Sequence, residues 1–444
     1  MPYRHRHRNN PAVWILGGFL AALFVGTGLL MLPFSTTHAG GLPLLPALFT
    51  ATSALCVTGL SAVDTATYWT TTGHVVILAL IQIGGFGVMS FATFLGLFVT
   101  RRARLSADIV IATERRSTIG RARPILTRVF LTSLGIEAVI ACALLLRFLS
   151  LGYSLGKAAW YGVFHAVSAF NNAGFALFTG NMERFVTDWG ICLPIMCAII
   201  LGGLGFPVLF QLRRDLWHYY KWSLHVRMVV IGTGFLLVFS TVLILAAEWN
   251  NPDTLGGLPL HAKFLAGAFQ AVQTRTAGFS SIDIGQMHDS TLLAMDVFMF
   301  IGGGPAGTAG GIKITTALVL VALVTAEVRA SRQVNIFGKS FAPDVYREAI
   351  TVITLSGAVV VTACFALLVC TDFPLDAVLF EATSAFGTVG LSTGITSLLP
   401  GVAQIIIISL MIFGRLGPIT VATALASHPN ESSISLPKER PIIG

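Results

Sequence analysis

Four short segments of the chain repeat one pattern of residue types. They read Phe49-Thr-Ala-Thr-Ser-Ala-Leu-Cys-Val-Thr-Gly59-Leu, Phe164-His-Ala-Val-Ser-Ala-Phe-Asn-Asn-Ala-Gly174-Phe, Phe269-Gln-Ala-Val-Gln-Thr-Arg-Thr-Ala-Gly278-Phe and Phe380-Glu-Ala-Thr-Ser-Ala-Phe-Gly-Thr-Val-Gly390-Leu, the third one residue shorter than the rest. Such repetition is the signature of one structural unit used four times. The residues around each glycine carry few reactive side chains, so their chemistry must come from the backbone. Glycine at a set position permits a positive φ, which turns peptide carbonyls toward a common axis. Four sets of converging carbonyls can replace the hydration shell of a cation. The candidate ligands are Val57, Thr58 and Gly59; Asn171, Asn172, Ala173 and Gly174; Thr276, Ala277 and Gly278; and Thr388, Val389 and Gly390. No ring of Asp or Glu recurs across these loops, so a monovalent cation suits them better than a divalent one.

A second glycine cluster follows each loop: Gly84-Gly85, Gly202-Gly203, Gly302-Gly303-Gly304, and Gly414 followed by Arg415. The third copy runs on through Gly304, Pro305, Ala306, Gly307, Thr308, Ala309, Gly310 and Gly311 to Lys313. Each Gly costs a helix about 1 kcal/mol relative to Ala, and Pro about 3. The stretch is either a tightly packed kink or a flexible intramembrane loop that acts as a gate. Its Gly302-x-Gly304-x-x-Gly307 spacing is not a dinucleotide fingerprint, because no strand precedes it and the flanks are apolar. Arg415 at bilayer depth would cost about 2.5–3.5 kcal/mol and must face a cavity or partners. It is either a hydrogen-bond hub or the group that holds the 304–311 loop closed against cation leak. Lys313 is a weaker candidate for the same role. Arg275 and Glu381 lie beside the glycine loops and can bond otherwise unsatisfied loop backbone; Glu381 could instead attract cations. Glu137 is nine residues from Arg128, too far for a local helix pair, and its partner is open. His165 reads as a capping or packing residue, and the six cysteines as buried small hydrophobes without zinc spacing. No nucleophile–base pair, phosphate loop or metal cluster is present, so the chain is read as non-enzymatic.

The elements that must position these residues follow from composition. Of 444 residues, 55% are apolar and 11% charged, against about 25% charged in soluble domains. Mean hydropathy is +0.80. This predicts an integral membrane protein and excludes disordered, secreted disulfide-rich and nucleic-acid-binding classes, despite a net charge of +8. Apolar runs near 12–32, 75–99, 125–148, 190–211, 228–247, 291–326, 348–370 and 402–425 predict eight spans. The first is too long for a signal-peptide core and reads as a retained span. Each glycine segment falls between an odd span and the following even one and is too short to cross, so it must dip in and return. Non-helical backbone at that depth is tolerated only where it lines a cavity. The expected fold is therefore all-α: four tandem helix–pore loop–helix repeats around a central pseudo-fourfold ion pore. The bounds are a cytoplasmic N-terminus at 1–10, repeats at 11–102, 124–214, 227–332 (with the gate loop) and 347–425, and a cytoplasmic tail at 426–444. Basic residues crowd both ends and the gaps near 101–123, 213–227 and 329–347, while the other gaps are acidic. The positive-inside rule puts both termini in the cytoplasm, and contact with anionic lipid headgroups explains the basic face.

The four glycine segments, the Gly304–Lys313 stretch and Phe-Gly-Arg415-Leu-Gly-Pro together resemble the superfamily of K+ transporters that contains Trk, Ktr and plant HKT proteins. The resemblance spans about 11–444 and is closest to the Ktr membrane subunit, KtrB. Trk relatives carry extra spans before the first repeat, whereas ten residues precede it here. The resemblance implies K+ uptake across the inner membrane of a bacterium. In plant relatives a Ser at the first filter position accompanies Na+ selectivity, and this chain has Gly59 there. It further implies a homodimer on a KtrA-like ring of cytosolic regulatory subunits responsive to ATP/ADP and NAD, with no covalently bound cofactor in this chain. Na+ stimulation of uptake is implied too, without a site. Two alternatives stay open: a Na+-selective or poorly selective member of the same architecture, and a stoichiometrically coupled transporter with broken helices. Repeats of the latter kind are usually inverted pairs around a midplane site, unlike the four same-sense repeats here.

Overall fold

The computed structural model describes residues 11–37, 43–87, 117–331 and 333–417. These are overwhelmingly helical. The chain runs through α1 (Pro11–Met31), α2 (Leu44–Leu55), a short α3 (Thr65–Tyr68), α4 (Thr71–Gly87), α5 (Ser117–Ser150), α6 (Leu155–Phe170), α7 (Trp189–Leu204) and α8 (Phe206–Asp215). It continues through α9 (Leu224–Glu248), α10 (Leu260–Gln273), α11 (Asp289–Phe300), α12 (Ile314–Val328), α13 (Pro343–Cys370), α14 (Leu375–Gly387) and α15 (Gly401–Leu416).

The helices fall into outer and inner classes for a plain reason of composition. α5, α9 and α13 present Val139, Leu146, Phe235, Val242, Val361 and Phe365 outward, an apolar exterior that water would not tolerate on this scale. Among the described residues, Pro124–Ser150, Leu224–Glu248 and Pro343–Cys370 are long and apolar enough to cross a membrane, and α7 with α8 makes a fourth if the bent pair is one span. By contrast α2, α6, α10 and α14 have 12, 16, 14 and 13 residues. At 1.5 Å per residue they reach about 18–24 Å, short of a hydrocarbon core of about 30 Å. Three of them start directly after a proline, at Pro43, Pro259 and Pro374, which cannot extend a helix backward. The equivalent phenylalanines Phe49, Phe164, Phe269 and Phe380 are all fully buried, so the recurring aromatic anchors each short helix in the interior.

Packing is cyclic. Each short helix lies on the long helix before it, α1 on α2, α5 on α6, α9 on α10 and α13 on α14. The helix after each glycine loop then contacts the next short helix: α7 on α10, α11 on α14 and α15 on α2. For α4 the contact with α6 includes the His74 and Phe164 rings, 6.1 Å apart.

Two of the eight anticipated apolar runs are not straight helices. The 190–211 run bends by 103° between α7 and α8, at Gly205 with φ +89 and Pro207 in the first turn of α8. The 291–326 run is two helices separated by residues 301–313, the glycine-rich stretch. The 75–99 and 402–425 runs continue past the described residues, as do both termini and most of the basic 100–123 gap. A two-stranded hairpin, Asn335–Ile336 with Lys339–Ser340, connects α12 to α13. Its turn residues Phe337 and Gly338 both have positive φ, the geometry a two-residue hairpin requires.

Candidate functional site

The four glycine loops meet in a closed cycle. A methyl built on Gly59 would stand 2.5 Å from the Ala173 carbonyl oxygen, and one on Gly174 would stand 2.7 Å from that of Ala277. The same construction on Gly278 runs into the Val389 carbonyl, and on Gly390 into the Thr58 carbonyl, which returns to the first loop. Each glycine is therefore the point where the next loop's preceding carbonyl passes, and no side chain fits there.

The backbone alternates in the same way in all four. Val57, Asn172, Thr276 and Thr388 have φ between 49 and 68, and Gly59, Gly174, Gly278 and Gly390 between 70 and 97. Positive φ on Val and Thr is strained, and four repeats of it mark an imposed geometry. Thr388 caps α14 in the left-handed region.

The amide groups of the loops are tied back to their own helices. Thr58, Ala173 and Val389 N–H groups donate to the carbonyls of Ser53, Ser168 and Ser384, and Ala277 N–H to that of Gln273. The side chains at those same positions add a second bond. Gly59 N–H donates to Ser53 Oγ at 3.0 Å, Gly390 N–H to Ser384 Oγ at 3.1 Å, and Phe279 N–H to Gln273 Oε1 at 3.1 Å; Ser168 Oγ donates to the Phe175 carbonyl. With those donors spent on the helices, the carbonyls of Thr58, Ala173, Ala277 and Val389 are the groups that pass the neighbouring loops' glycines. Sequence reasoning missed this position although its signal was visible, four residues after each repeated Phe. Where the third loop is one residue shorter, the longer Gln replaces Ser and still reaches a backbone amide.

Asn171 and Asn172 do not offer side chains to the centre. Asn171 Nδ2 donates to Gln82 Oε1 at 2.9 Å and to the buried Glu137 carboxylate at 3.1 Å, and Gln82 Nε2 also donates to Glu137. That network supplies the partner for Glu137. Asn172 Nδ2 donates to the Arg275 carbonyl, and its Oδ1 accepts from Thr308 Oγ1 at 3.1 Å, linking the second loop to the third and to the 301–313 loop.

The 301–313 loop leaves and rejoins the helical framework at one neck. Gly302 N–H donates to the Ile312 carbonyl and Ile312 N–H to the Phe300 carbonyl. Between them it is held by the second repeat: Gly304 N–H donates to the Gly203 carbonyl at 2.7 Å and Thr308 N–H to that of Gly202 at 3.1 Å. A methyl on Gly310 would collide with Thr388 Oγ1, so the loop lies directly against the fourth glycine segment. Arg415 is buried, and its guanidinium donates to the Thr308 carbonyl at 2.5 Å and to the Gly84 carbonyl at 3.2 Å. Lys313 Nζ donates to the Ala309 carbonyl at 2.6 Å. Two cationic side chains thus grip adjacent carbonyls of one loop, and among the described residues neither has a carboxylate partner.

Gly84, Gly202 and Gly414 recur for a steric reason: a methyl on any of them would strike the carbonyl of Leu55, Phe170 or Phe386, at or next to the last residue of the short helix. Arg275 bonds the Gly302 carbonyl at 3.0 Å, the start of the 301–313 loop rather than the glycine-loop backbone. Glu381 accepts from the hydroxyls of Ser392 and Thr396, which fastens the chain leaving Gly390. His165 bridges the Tyr161 carbonyl and the Leu177 amide and stacks on Phe178, the packing role anticipated for it.

On one side of the cycle lies a cavity of about 420 Å³ whose lining includes all four glycines with Ser61, Asp64, Glu183 and Asn181. Asp64 is held by the Ala66 amide and the hydroxyls of Thr67 and Thr179. Burial, and then the charge of Asp283, raise the Glu183 carboxyl above the ordinary carboxylate range.

A helical scaffold closing four carbonyl-bearing loops around one centre is the framework of a membrane cation-transport protein. The TrkH cation transport protein family matches residues 21–436, and the chain belongs to that family. It is similar to Ktr system potassium uptake protein B of Bacillus subtilis, 39% identical over 95% of this chain and 94% of the relative. The protein of the same description from Vibrio alginolyticus is 36% identical over 97% and 94%. The potassium/sodium uptake protein NtpJ of Enterococcus hirae is 33% identical over 100% and 99%. These relatives are uptake proteins, not enzymes. The fold is also that of the potassium transporter TrkH from Vibrio parahaemolyticus, with a TM-score of 0.73, 18% identity, and coverage of 96% of this chain and 87% of that one.

Proposed function

We propose that this chain takes up K+ across the cytoplasmic membrane through a filter of backbone carbonyls formed by its four glycine loops. The observation that carries the reading is the closed cycle Gly59–Gly174–Gly278–Gly390, in which each glycine gives way to the next loop's carbonyl. Carbonyl dipoles without a carboxylate ring suit a monovalent ion. The units are the four repeats 11–102, 124–214, 227–332 and 347–425, with eight crossings and both termini cytoplasmic. The 420 Å³ cavity is the outer vestibule, where Asp64 and Glu183 concentrate cations.

The 301–313 loop is the gate. It lies against the filter, and Arg415 and Lys313 hold its carbonyls while placing positive charge on the path of a cation. A loop that lacks helical hydrogen bonds and is held by a small set of bonds to its surroundings can move without unfolding its neighbours. The chain works as a homodimer on a KtrA-type cytosolic ring that reads ATP, ADP or NAD, and Na+ stimulates uptake. The names of the Bacillus and Vibrio relatives support the Ktr-type assignment, and that of the Enterococcus relative makes a role for Na+ reasonable.

Rescue of a K+-uptake-deficient bacterium at low K+, with and without a KtrA-type partner and Na+, tests the reading. Growth is expected with the partner, and stronger growth with Na+. No rescue under any condition, with the protein inserted in the membrane, would sink it. Uptake competition among K+, Rb+ and Na+ separates K+ selectivity from the Na+-selective alternative.

A further inference from the structure

The cycle of glycines is nearly fourfold in its backbone but not in what surrounds it. Gly174 differs from the other three: its carbonyl accepts a side-chain hydrogen bond, from Asn181 Nδ2 at 3.3 Å. Among the described residues no side chain donates to the carbonyl of Gly59, Gly278 or Gly390. The reason is legible in the spacing. Seven residues after each glycine stand Ala66, Asn181, Gly285 and Ser397, and one of the four is an amide. Asn181 sits in a left-handed turn with φ 56, its N–H bonded to the Phe178 carbonyl. It lines the vestibule cavity, and its Oδ1 is buried with no hydrogen-bond partner. A carbonyl can only accept, so the nitrogen end of the amide must be the one that faces Gly174.

We propose that Asn181 is a specificity-determining residue that acts by positioning and weakening the Gly174 carbonyl at the outermost cation position of the filter. The inference rests on the filter reading above. A carbonyl that already accepts a hydrogen bond has less negative potential to offer a cation, so the ring there has three full-strength ligands and one attenuated one. Selectivity in such sites depends on ligand number and field strength. A weaker field compensates poorly for stripping water from small, strongly hydrated Na+ and better for larger K+ or Rb+. Asn181 therefore tilts the outermost position toward the larger ions.

Two substitutions keep the left-handed turn. Asn181→Gly accepts positive φ freely and removes the amide. Asn181→Asp keeps the shape and replaces the N–H donor with a second oxygen. The full chain is purified, and its thermal midpoint is titrated separately with KCl, RbCl and NaCl to obtain apparent affinities without requiring transport; Rb+ uptake competed by K+ and Na+ is measured in parallel. Wild-type protein is expected to be stabilised by K+ and Rb+ in preference to Na+. In Asn181→Gly the K+:Na+ affinity ratio should fall about 2- to 10-fold, the weight of one neutral hydrogen bond, and in Asn181→Asp at least as far. Ratios within twofold of wild type in both variants would overturn the inference while leaving the filter in place. Aggregation of both would also overturn it, by making Asn181 a structural turn residue. If the wild type itself gains no stability from K+ over Na+, it is the filter reading that fails.

Discussion

The glycine cycle and the 301–313 loop are neighbours built on opposite plans. In the cycle four chain segments repeat one backbone conformation, donors are tied back to the short helices, and no charged side chain is among the closest contacts. The adjoining loop belongs to one repeat, is bridged by side chains of the second, third and fourth, and is gripped by two cations. Equal contributions from four loops suit an ion that must meet ligands on all sides. A single loop held by a few bonds suits an element that must let go. On the proposed reading, repetition supplies the conduit and its breakage supplies the control.

The largest effect in this contrast should come from filling the cycle. Gly390→Val places a branched side chain against the Thr58 carbonyl at φ 94, where β-branched residues are not accommodated. Rb+ uptake should drop by about 100-fold or more, the scale of a ligand geometry lost at the reacting centre; near-normal uptake by correctly inserted protein would remove the cycle from the conduction path.

Releasing the loop should act in the opposite direction. Arg415→Ala removes both guanidinium bonds and a positive charge, so uptake without the cytosolic partner should rise about 10-fold or more, the lower end of the weight of one charge-assisted bond. Unchanged or lower flux at equal expression would mean that Arg415 is a hub only. Arg415→Lys should fall between the two, because an ammonium cannot span Thr308 and Gly84 with a fork.

Behind the cycle, the Glu137–Asn171–Gln82 network predicts a stability effect with little change in selectivity. Asn171→Ala leaves the buried carboxylate short of a donor and should cost about 1–3 kcal/mol, read as a lower thermal midpoint, with K+:Na+ competition unaltered. A changed ion preference would draw Asn171 back into the filter proper.

The smallest expected effect is on the vestibule. With its pKa raised by burial and Asp283, Glu183 takes up a proton at a higher pH than a free glutamate. As external pH falls toward the ordinary carboxylate range the vestibule loses a negative charge, and KM for K+ should rise about twofold, as a screened surface charge allows. Glu183→Gln should flatten that dependence. The same raised pKa means the folded state binds this proton more tightly than the unfolded chain, so the group favours folding at low pH and costs stability as it ionises.

Much of this architecture was legible before any coordinates. The scarcity of charge, the repeated segments and the glycine-rich stretch each announce themselves in composition or spacing, and Arg415 stands out as a cation in an apolar run. Other parts were not legible because they depend on distance in space. Asn171 reads as a ligand candidate beside Asn172, and only the packing of α4 and α5 on α6 turns its amide to Glu137. The 190–211 run reads as one span, yet Gly205 bends it so that the 301–313 loop can lie against its carbonyls. Ser53, Ser168, Gln273 and Ser384 repeat in plain sight, but what each side chain bonds is set by a loop that folds back six or seven residues later.

Sequence by itself therefore determined the membrane setting, the fourfold use of one motif and the residues without Cβ, because hydropathy and backbone permission are local properties. Tertiary structure decided which carbonyls face which glycines, that Arg415 bonds the carbonyls of Thr308 and Gly84, and that Asn172 reaches Arg275 and Thr308. Those outcomes depend on segments more than a hundred residues apart arriving within hydrogen-bond distance, and no local property of the chain specifies that.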